Sequence, residues 1–243
     1  MRGVAVAVVF ALVAASVLAA GCSKAGVAAD QFLSETQYTR LLIEIDHQQG
    51  KAPHSSAVDL LRTRIEERCN KPAGLQVETK PFTESDSVWT IEEIRALENE
   101  KRDHQASGST AVLYILYIGG RYENDKVIGV QYGSSSFALF KDTMATAANP
   151  TNPLIPLSFT AVDVERSVIV HEFGHVLGLV NHGTAMVRDH EDKDPKNRGH
   201  SSNKDSVMYY AVESLFVSQV FTGAPPTQFD DDDKADLRAA GGK

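Results

Sequence analysis

Three spacings of apolar residues recur along the chain, and each predicts a different local structure. Between residues 55 and 69 the apolar positions fall three and four residues apart, which predicts a helix with one apolar face. In residues 75–82, LQVETKPF, apolar and polar residues alternate, which predicts a strand. Residues 87–102 return to helical spacing, and residues 110–120, TAVLYILYIGG, form a continuous apolar run that predicts a buried strand ended by two glycines.

The second half of the chain predicts two further strands, a loop and a helix. Residues 126–142 indicate two short strands around a Gly-Ser turn, and the three prolines of residues 149–158 indicate a loop. Residues 164–179, VERSVIVHEFGHVLGL, again have helical spacing. We therefore expect an α+β fold, in which helices pack on a twisted mixed sheet.

Composition narrows the class of protein. The chain has 243 residues, of which 42% are hydrophobic and 23% charged, as in an ordinary globular protein with one core. The formal net charge of −8 leaves no basic face for nucleic acid, so a nucleic-acid partner is not expected.

The first 22 residues are expected to be a targeting segment. A basic start at Arg2 precedes an uncharged apolar run from residue 4 to residue 20 and then small residues, which is the layout of an export signal. A transmembrane anchor is the alternative, because a run of this length lies at the short end of a membrane span. The stretch LAAGC resembles a bacterial lipoprotein signal, in which Cys22 becomes the lipidated first residue. That resemblance implies export and a lipid anchor on the extracytoplasmic side of the cell envelope.

The predicted organisation is a signal peptide over residues 1–21, a tether over residues 22–34 and a folded domain over residues 35–243. The domain is expected to have an N-terminal lobe up to about residue 180 and a C-terminal lobe over residues 181–243. Cys69 is interpreted as a small buried residue at a helix end. The aspartates of FDDDDK favour a helix start over a calcium site, because they lack the spacing of a calcium loop.

The helix over residues 164–179 carries the candidate chemistry. His171 and His175 lie one turn apart, so their rings can face a single metal ion. Glu172 lies beside the first histidine, where it can accept a proton from a water that zinc has made more acidic. This division of roles is typical of H-E-x-x-H metallopeptidases, although the same residues also occur by chance in structural helices.

A third ligand must come from outside this helix. Gly178 allows the chain to leave the helix by a left-handed turn and to return a later residue to the metal. HEFGHVLGLVN resembles the metzincin family of zinc peptidases, in which that residue is three positions after the glycine. Here this position holds Asn181, which is a poor zinc ligand. His182 and His190 are further alternatives.

The segment HSSNKDSVMYY, which begins at His200, offers a better match. It resembles the archaemetzincins, a branch of the metzincins that have histidine, cysteine, four residues, cysteine, one residue and methionine. Ser201 and Ser206 replace the two cysteines. The resemblance implies that His200 is the third zinc ligand and that Met208 forms the methionine turn beneath the metal.

The same resemblance implies a function and a cofactor. Archaemetzincins use their cysteines for a second zinc, and this chain has no cysteine after Cys69, so we expect one Zn²⁺ per chain. The implied activity is that of a zinc-dependent endopeptidase acting on a protein or peptide substrate, with Glu172 as general base. Tyr210 has the position of a tyrosine that stabilises the transition state in some metzincins, and residues 134–140 are the candidate substrate-binding edge strand.

Two other hypotheses remain open. One is a catalytically idle envelope lipoprotein that uses this fold to bind metal or protein, because the usual third-ligand position is lost. The other is a gluzincin, in which Glu191 or Glu213 is the third ligand.

Overall fold

The computed structural model describes residues 25–149 and 159–243. Its main sheet has five strands in the order β2-β1-β4-β7-β6. Strands β2, β1, β4 and β7 are mutually parallel, and β6 pairs antiparallel with β7. The strands of this sheet are β1 (Arg40–Gln48), β2 (Leu75–Phe82), β4 (Thr110–Ile118), β6 (Gly129–Gly133) and β7 (Ser136–Phe140). A separate parallel pair consists of β3 (Val88–Trp89) and β5 (Arg121–Tyr122).

Helices cover both faces of the sheet. The α-helices are α1 (Ala25–Leu33), α2 (Ser55–Arg68), α3 (Ile91–Lys101), α4 (Lys141–Ala147), α5 (Ala161–Val176), α6 (Val217–Val220) and α7 (Asp231–Ala239). Two 3₁₀ helices cover Pro195–Asn197 and Tyr210–Glu213. A mixed sheet with packed helices agrees with the predicted fold class.

The core has two parts because successive side chains of a strand point to opposite faces of the sheet. On one face Leu113 and Ile115 of β4 belong to the larger cluster, with the apolar sides of α2 and α5. On the other face Tyr114 and Leu116 belong to a smaller cluster, with Ile94 of α3. Both faces of β4 are covered, which explains why its sequence is a continuous apolar run.

Most predicted elements are confirmed, but β1 was not predicted. Its sequence, RLLIEIDHQ, includes Glu44 and Asp46, which are buried and would be unexpected in a central strand. Each carboxylate is buried with partners from distant parts of the chain. Glu44 accepts hydrogen bonds from the backbone N–H groups of Asp103 and His104, and Asp46 accepts one from the Tyr114 hydroxyl.

The prediction of the edge strand was wrong. Residues 134–140 include β7, which lies between β4 and β6 inside the sheet. Strand β6 precedes β7 and pairs with it antiparallel across a tight Gly-Ser turn. It is the outermost strand on this side of the sheet. The free edge next to the candidate site is therefore Gly129–Gly133.

The folded domain begins before residue 35. The described part of the predicted tether forms α1, and its Phe32 and Leu33 are fully buried in the larger core. Burial of these apolar side chains stabilises the packing of α1 on the domain. The predicted signal peptide, Cys22 and nearly all of the predicted proline loop lie outside the described residues. Within the described ranges, no helix combines the length and apolar character needed to cross a membrane.

Candidate metal centre and its cleft

Helix α5 carries the first two candidate ligands. Thr160 caps its start, accepting a hydrogen bond from the Asp163 N–H while the Asp163 side chain accepts one from the Thr160 N–H. Its apolar side chains, among them Val164, Val168 and Phe173, are buried. Gly178 has a φ of 74°, which is the predicted left-handed turn, and Val180 and Asn181 continue in the same unusual region. The chain thus turns sharply away after the second histidine.

His171 and His175 face each other one turn apart. Their Nε2 atoms are 3.0 Å apart, and their rings are nearly perpendicular, with an interplanar angle of 83°. The Nδ1 of His171 lies 2.6 Å from the Val207 carbonyl oxygen, to which it can donate. Such a hydrogen bond leaves Nε2 as the free lone pair and fixes the ring orientation, as is usual for metal-binding histidines.

His200 reaches the same place from the opposite side. Its ring stacks on that of His171 with centroids 5.3 Å apart, and its centroid lies 5.1 Å from that of His175. A hydrogen bond from the Ser201 N–H to the Met208 carbonyl oxygen, 2.8 Å long, ties this segment to the methionine region. The structure therefore brings together the three histidines that the sequence selected.

Glu213 completes the group. Its Oε1 lies 3.1 Å from Nε2 of His200, and its Oε2 lies 3.7 Å from Nε2 of His171. One potential donor atom from each of His171, His175, His200 and Glu213 lies within 4.8 Å of the others. We call these four residues the first cluster. In the gluzincin hypothesis Glu213 takes the place of a histidine as third ligand, whereas the structure places Glu213 beside all three histidines.

Without a metal, the members of the first cluster differ in charge. Burial would lower the pKa of His200, but its contact with Glu213 outweighs this and raises it, which favours the protonated ring. Burial lowers the pKa of His175 well below its usual value, and the neighbouring His171 and His200 lower it further. Burial would raise the pKa of Glu213, but its contacts with His171 and His200 outweigh this and hold it well below the usual range. His175 is therefore neutral and Glu213 is charged at neutral pH, as metal coordination requires.

The donor atoms fit a metal ion. The Nε2 atoms of His171 and His175 point at each other 3.0 Å apart, and the Nε2 of His200 lies 3.1 Å from Glu213 Oε1 without the geometry of a normal hydrogen bond. Unpartnered buried nitrogens are costly, and a cation among them would remove that cost. Imidazole and carboxylate donors in a group of four suit Zn²⁺.

Glu172 is buried beside this group, under the edge strand. Its side chain is 0% exposed, and no described residue meets either of its oxygens with normal hydrogen-bond geometry, although the Gln131 N–H lies close by. Burial raises the pKa of Glu172 well above its usual range, the charge of Glu213 raises it further, and the Gln131 N–H only partly opposes this. A Cβ atom on Gly129 of β6 would lie 2.5 Å from Glu172 Oε1, so the glycine makes room for this carboxylate.

Met208 packs against α5, and Tyr210 lies in the turn that leads to Glu213. Met208 is fully buried against α5, where its sulfur occupies the space that a side chain at Gly174 would need. This position agrees with a floor beneath the histidines. Tyr210 begins the 3₁₀ helix that ends at Glu213, and its ring lies 4.6 Å from the ring of Tyr209.

The other ligand candidates lie elsewhere. Asn181 is exposed, and its side-chain amide donates to Glu191 at 3.4 Å. The ring of His182 lies 5.2 Å from that of His175, but His182 is not part of the first cluster. His190 belongs to a separate polar group near α7.

A cleft of about 600 Å³ runs along β6 beside the second histidine. Its walls include His175 and His182 on one side and Gln131 and Tyr132 on the other, with Arg95 of α3 at one end. An unpaired strand edge next to a metal site is suited to an extended peptide. The cleft therefore offers room for an extended substrate chain next to the candidate metal centre.

Comparisons with known proteins agree at the level of fold. No family model matches this chain, and no curated protein sequence matches it. The chain is similar to the crystal structure of archaemetzincin from Methanopyrus kandleri, with a TM-score of 0.52 and 15% sequence identity. The similarity covers 83% of this chain and 96% of that chain. The chain therefore has an archaemetzincin-like fold, with a mostly parallel sheet and packed helices.

Proposed function

We propose that this protein is a zinc-dependent endopeptidase. The observation that carries the proposal is the position of Glu172, a fully buried carboxylate without a well-formed hydrogen bond, next to a group of three histidines of which His175 lines an open cleft. A site that only holds a metal has no need of such a carboxylate. His171, His175 and His200 would hold the zinc.

The chemistry divides between the metal and the chain. When bound, Zn²⁺ supplies a Lewis acid that polarises a carbonyl and makes water more acidic. Glu172 accepts the proton of the attacking water and then delivers it to the leaving amine nitrogen, as the carbon–nitrogen bond breaks. Burial raises the pKa of Glu172 in the metal-free chain, and a nearby dication would lower it again and keep the carboxylate ionised, ready to accept a proton.

Strand β6 is the proposed substrate-binding edge. A peptide lying along Gly129–Gly133 would extend the sheet by one strand and pass over Glu172. Main-chain hydrogen bonds to the edge would supply affinity with little dependence on sequence. The substrate is therefore proposed to be an extended segment of a protein or peptide.

Further roles follow from the sequence. Met208 is proposed to support the histidines from below, and Tyr210 to stabilise the charge that develops on the substrate carbonyl oxygen. The lipoprotein-like start at Cys22 supports a protein held by lipid on the outer side of a membrane. A protein in that place would meet envelope or extracellular substrates.

A specific observation favours a second function. Glu213 offers a fourth donor to the first cluster, and a metal with four protein ligands has no open position for water. On this hypothesis the protein binds metal without catalysis, as the alternative of an idle lipoprotein states. Retention of Glu172 in its buried position argues for the peptidase.

The test compares zinc content with hydrolysis of a mixed peptide library by the full chain. We expect Glu172→Gln to reduce hydrolysis about 10²- to 10⁴-fold, the usual effect of losing a general base, while zinc content is unchanged. Glu92→Gln, an exposed change of the same kind on α3, serves as the control. Equal hydrolysis by Glu172→Gln and the parent would exclude Glu172 as the base.

Glu213→Ala separates the two functions. If the protein is a peptidase and Glu213 is not a required ligand, Glu213→Ala should keep its zinc and hydrolyse peptides at least as fast as the parent. Loss of zinc together with all hydrolysis would instead revive the gluzincin hypothesis, with Glu213 as a required ligand. No hydrolysis by the zinc-loaded parent or by zinc-loaded Glu213→Ala would favour the idle metal-binding protein.

A further inference from the structure

A second group of potential ligands lies where α7 packs against the loop before His200. It consists of His190, Asp230 and Asp233, and one potential donor atom from each lies within 4.8 Å of the others. We call these three residues the second cluster. It shares no residue with the first cluster and has no part in the proposed peptidase chemistry.

Two atoms of the second cluster are buried without partners. His190 is 5% exposed and Asp233 is 0% exposed, yet His190 Nδ1 and Asp233 Oδ1 have no hydrogen-bond partner among the described residues. These two atoms face each other across 3.9 Å. That separation is too long for a hydrogen bond, but it suits two ligands on either side of one ion.

The other atoms of both side chains are already fixed. His190 Nε2 lies 2.9 Å from Asp236 Oδ2, and the other Asp236 oxygen accepts a hydrogen bond of 2.6 Å from the Val187 N–H. Asp233 Oδ2 accepts a hydrogen bond of 2.6 Å from the Ser206 hydroxyl. A carboxylate behind the imidazole makes the remaining nitrogen a better donor and aims it, as around many metal sites.

The charge balance also calls for a cation. Asp230, Asp233 and Asp236 carry three potential negative charges, and among the described residues their only ion-pair partner is His190. The neighbouring cations pair with other residues of the same helix: Arg188 with Asp232, and Lys234 with Asp231. Burying several carboxylates with one histidine is expensive unless a cation neutralises them.

We propose that the second cluster binds a divalent transition-metal ion, with Zn²⁺ the best fit, through His190 Nδ1 and the carboxylates of Asp230 and Asp233. One imidazole and two carboxylates suit zinc better than calcium, which takes six to eight oxygen ligands. This changes the expected stoichiometry from one metal per chain to two.

The site is structural, because it is closed and connects three segments. The ion joins α7 to the loop at His190, and Asp233 accepts the hydroxyl of Ser206. The Ser206 Oγ in turn accepts a hydrogen bond of 2.9 Å from the Met208 N–H. Occupancy of the second cluster therefore fixes the segment that carries both Met208 and His200.

The experiment measures zinc bound per chain by plasma mass spectrometry, after dialysis of the full chain against excess Zn²⁺ and then against zinc-free buffer. We expect two zinc ions in the parent and one in Asp233→Asn, which keeps the size of the side chain but removes its charge. Asp231→Asn is the matched control, because Asp231 lies on the same helix but is exposed, and it should keep two. Equal zinc in Asp233→Asn and the parent would overturn the proposal.

A second measurement does not depend on the folding of any variant. Crystals of the zinc-loaded parent are measured at the zinc absorption edge, where an anomalous peak between His190 and Asp233 is expected. A peak at the first cluster with none at the second would reject the second site. The first-cluster peak also shows separately whether the ligands of the proposed peptidase hold metal.

Discussion

The first and second clusters contain the same kinds of ligand but differ in access. Each joins histidine to carboxylate, and each depends on the segment between His200 and Tyr210. The first cluster adjoins a cleft along a free strand edge and has Glu172 beside it without a well-formed hydrogen bond. The second lies between α7 and the loop that carries His190. The carboxylates of Asp230, Asp233 and Asp236 each accept a hydrogen bond from a neighbouring residue. Ligand type alone therefore does not distinguish a catalytic centre from a structural one.

The two clusters are mechanically linked. Ser206 bonds the second cluster through Asp233, while Met208, two residues later, packs under α5 beneath the first. A substitution in one cluster should therefore have a measurable effect on metal binding at the other.

The largest effect is expected where Met208 meets α5. In Gly174→Ala the added methyl group would overlap the Met208 sulfur and push the methionine segment away from the helix. We expect loss of zinc from the first cluster, loss of hydrolysis and a drop of about 1–3 kcal/mol in the free energy of unfolding, the usual cost of overpacking. Calorimetry and zinc analysis measure these changes.

The double variant Gly174→Ala/Met208→Ala provides the control. Removing the methionine side chain relieves the overlap, so zinc binding should return in part even though the core has lost volume. If Gly174→Ala alone binds zinc and unfolds like the parent, the close packing of helix and methionine is contradicted.

A second prediction separates the base from the ligands. In Gly129→Ala the new Cβ would lie 2.5 Å from Glu172 Oε1 and displace this carboxylate. We expect hydrolysis to fall by about 10²-fold while zinc content stays constant, since the displaced groups, Glu172 and a methyl group of Val168, include no zinc ligand. Glu92→Gln, an exposed change outside β6, should behave like the parent.

The third prediction concerns the pH dependence of stability. Burial raises the pKa of Asp233 to about 7 from its usual 3.8. Without metal, the folded chain therefore holds a proton on Asp233 between these two pH values, whereas the unfolded chain has released it. The contribution of Asp233 to stability is present below pH 4 and is lost as the pH rises towards 7.

Denaturant unfolding of the metal-free chain between pH 4 and pH 8 measures this contribution. Compared with the parent, Asp233→Asn should lose less stability over this range, because it has no proton to release. Parallel stability curves for the two proteins would exclude the raised pKa. In the parent, added Zn²⁺ should remove the loss by replacing the proton.

The smallest effect is expected at Cys69, remote from both clusters. Burial raises the pKa of this thiol to about 12, so the reactive thiolate is scarce at neutral pH. Cys69 should react with a thiol reagent only after unfolding, and zinc should slow that reaction only by stabilising the fold. Rapid reaction of the native chain would contradict its burial.

Local patterns in the sequence accounted for the helical half of the site. His171, Glu172 and His175 could be selected because their spacing of one helical turn is visible in the chain itself. His200 is separated from them by a long loop, and only the resemblance to archaemetzincins selected it. The structure adds the contact distances that bring this histidine to the other two.

Contacts between distant segments could not be predicted. Glu213 joins the histidines, Gly129 leaves space for Glu172, and Asp233 meets His190, each across a stretch of chain with no periodic signal. Strand β1 was missed for a related reason, since its buried acidic residues depend on partners in other segments. The edge strand was misplaced because pairing order is a property of the whole sheet.

The most direct test of the central claim is the number of zinc ions bound per chain in the parent, His200→Ala and His182→Ala. His182 is the matched control, because it is a histidine near His175 but outside the first cluster. His200→Ala should bind one zinc fewer than the parent, whereas His182→Ala should bind the same number. Equal zinc in the parent and His200→Ala would contradict the assignment of His200 as the third ligand.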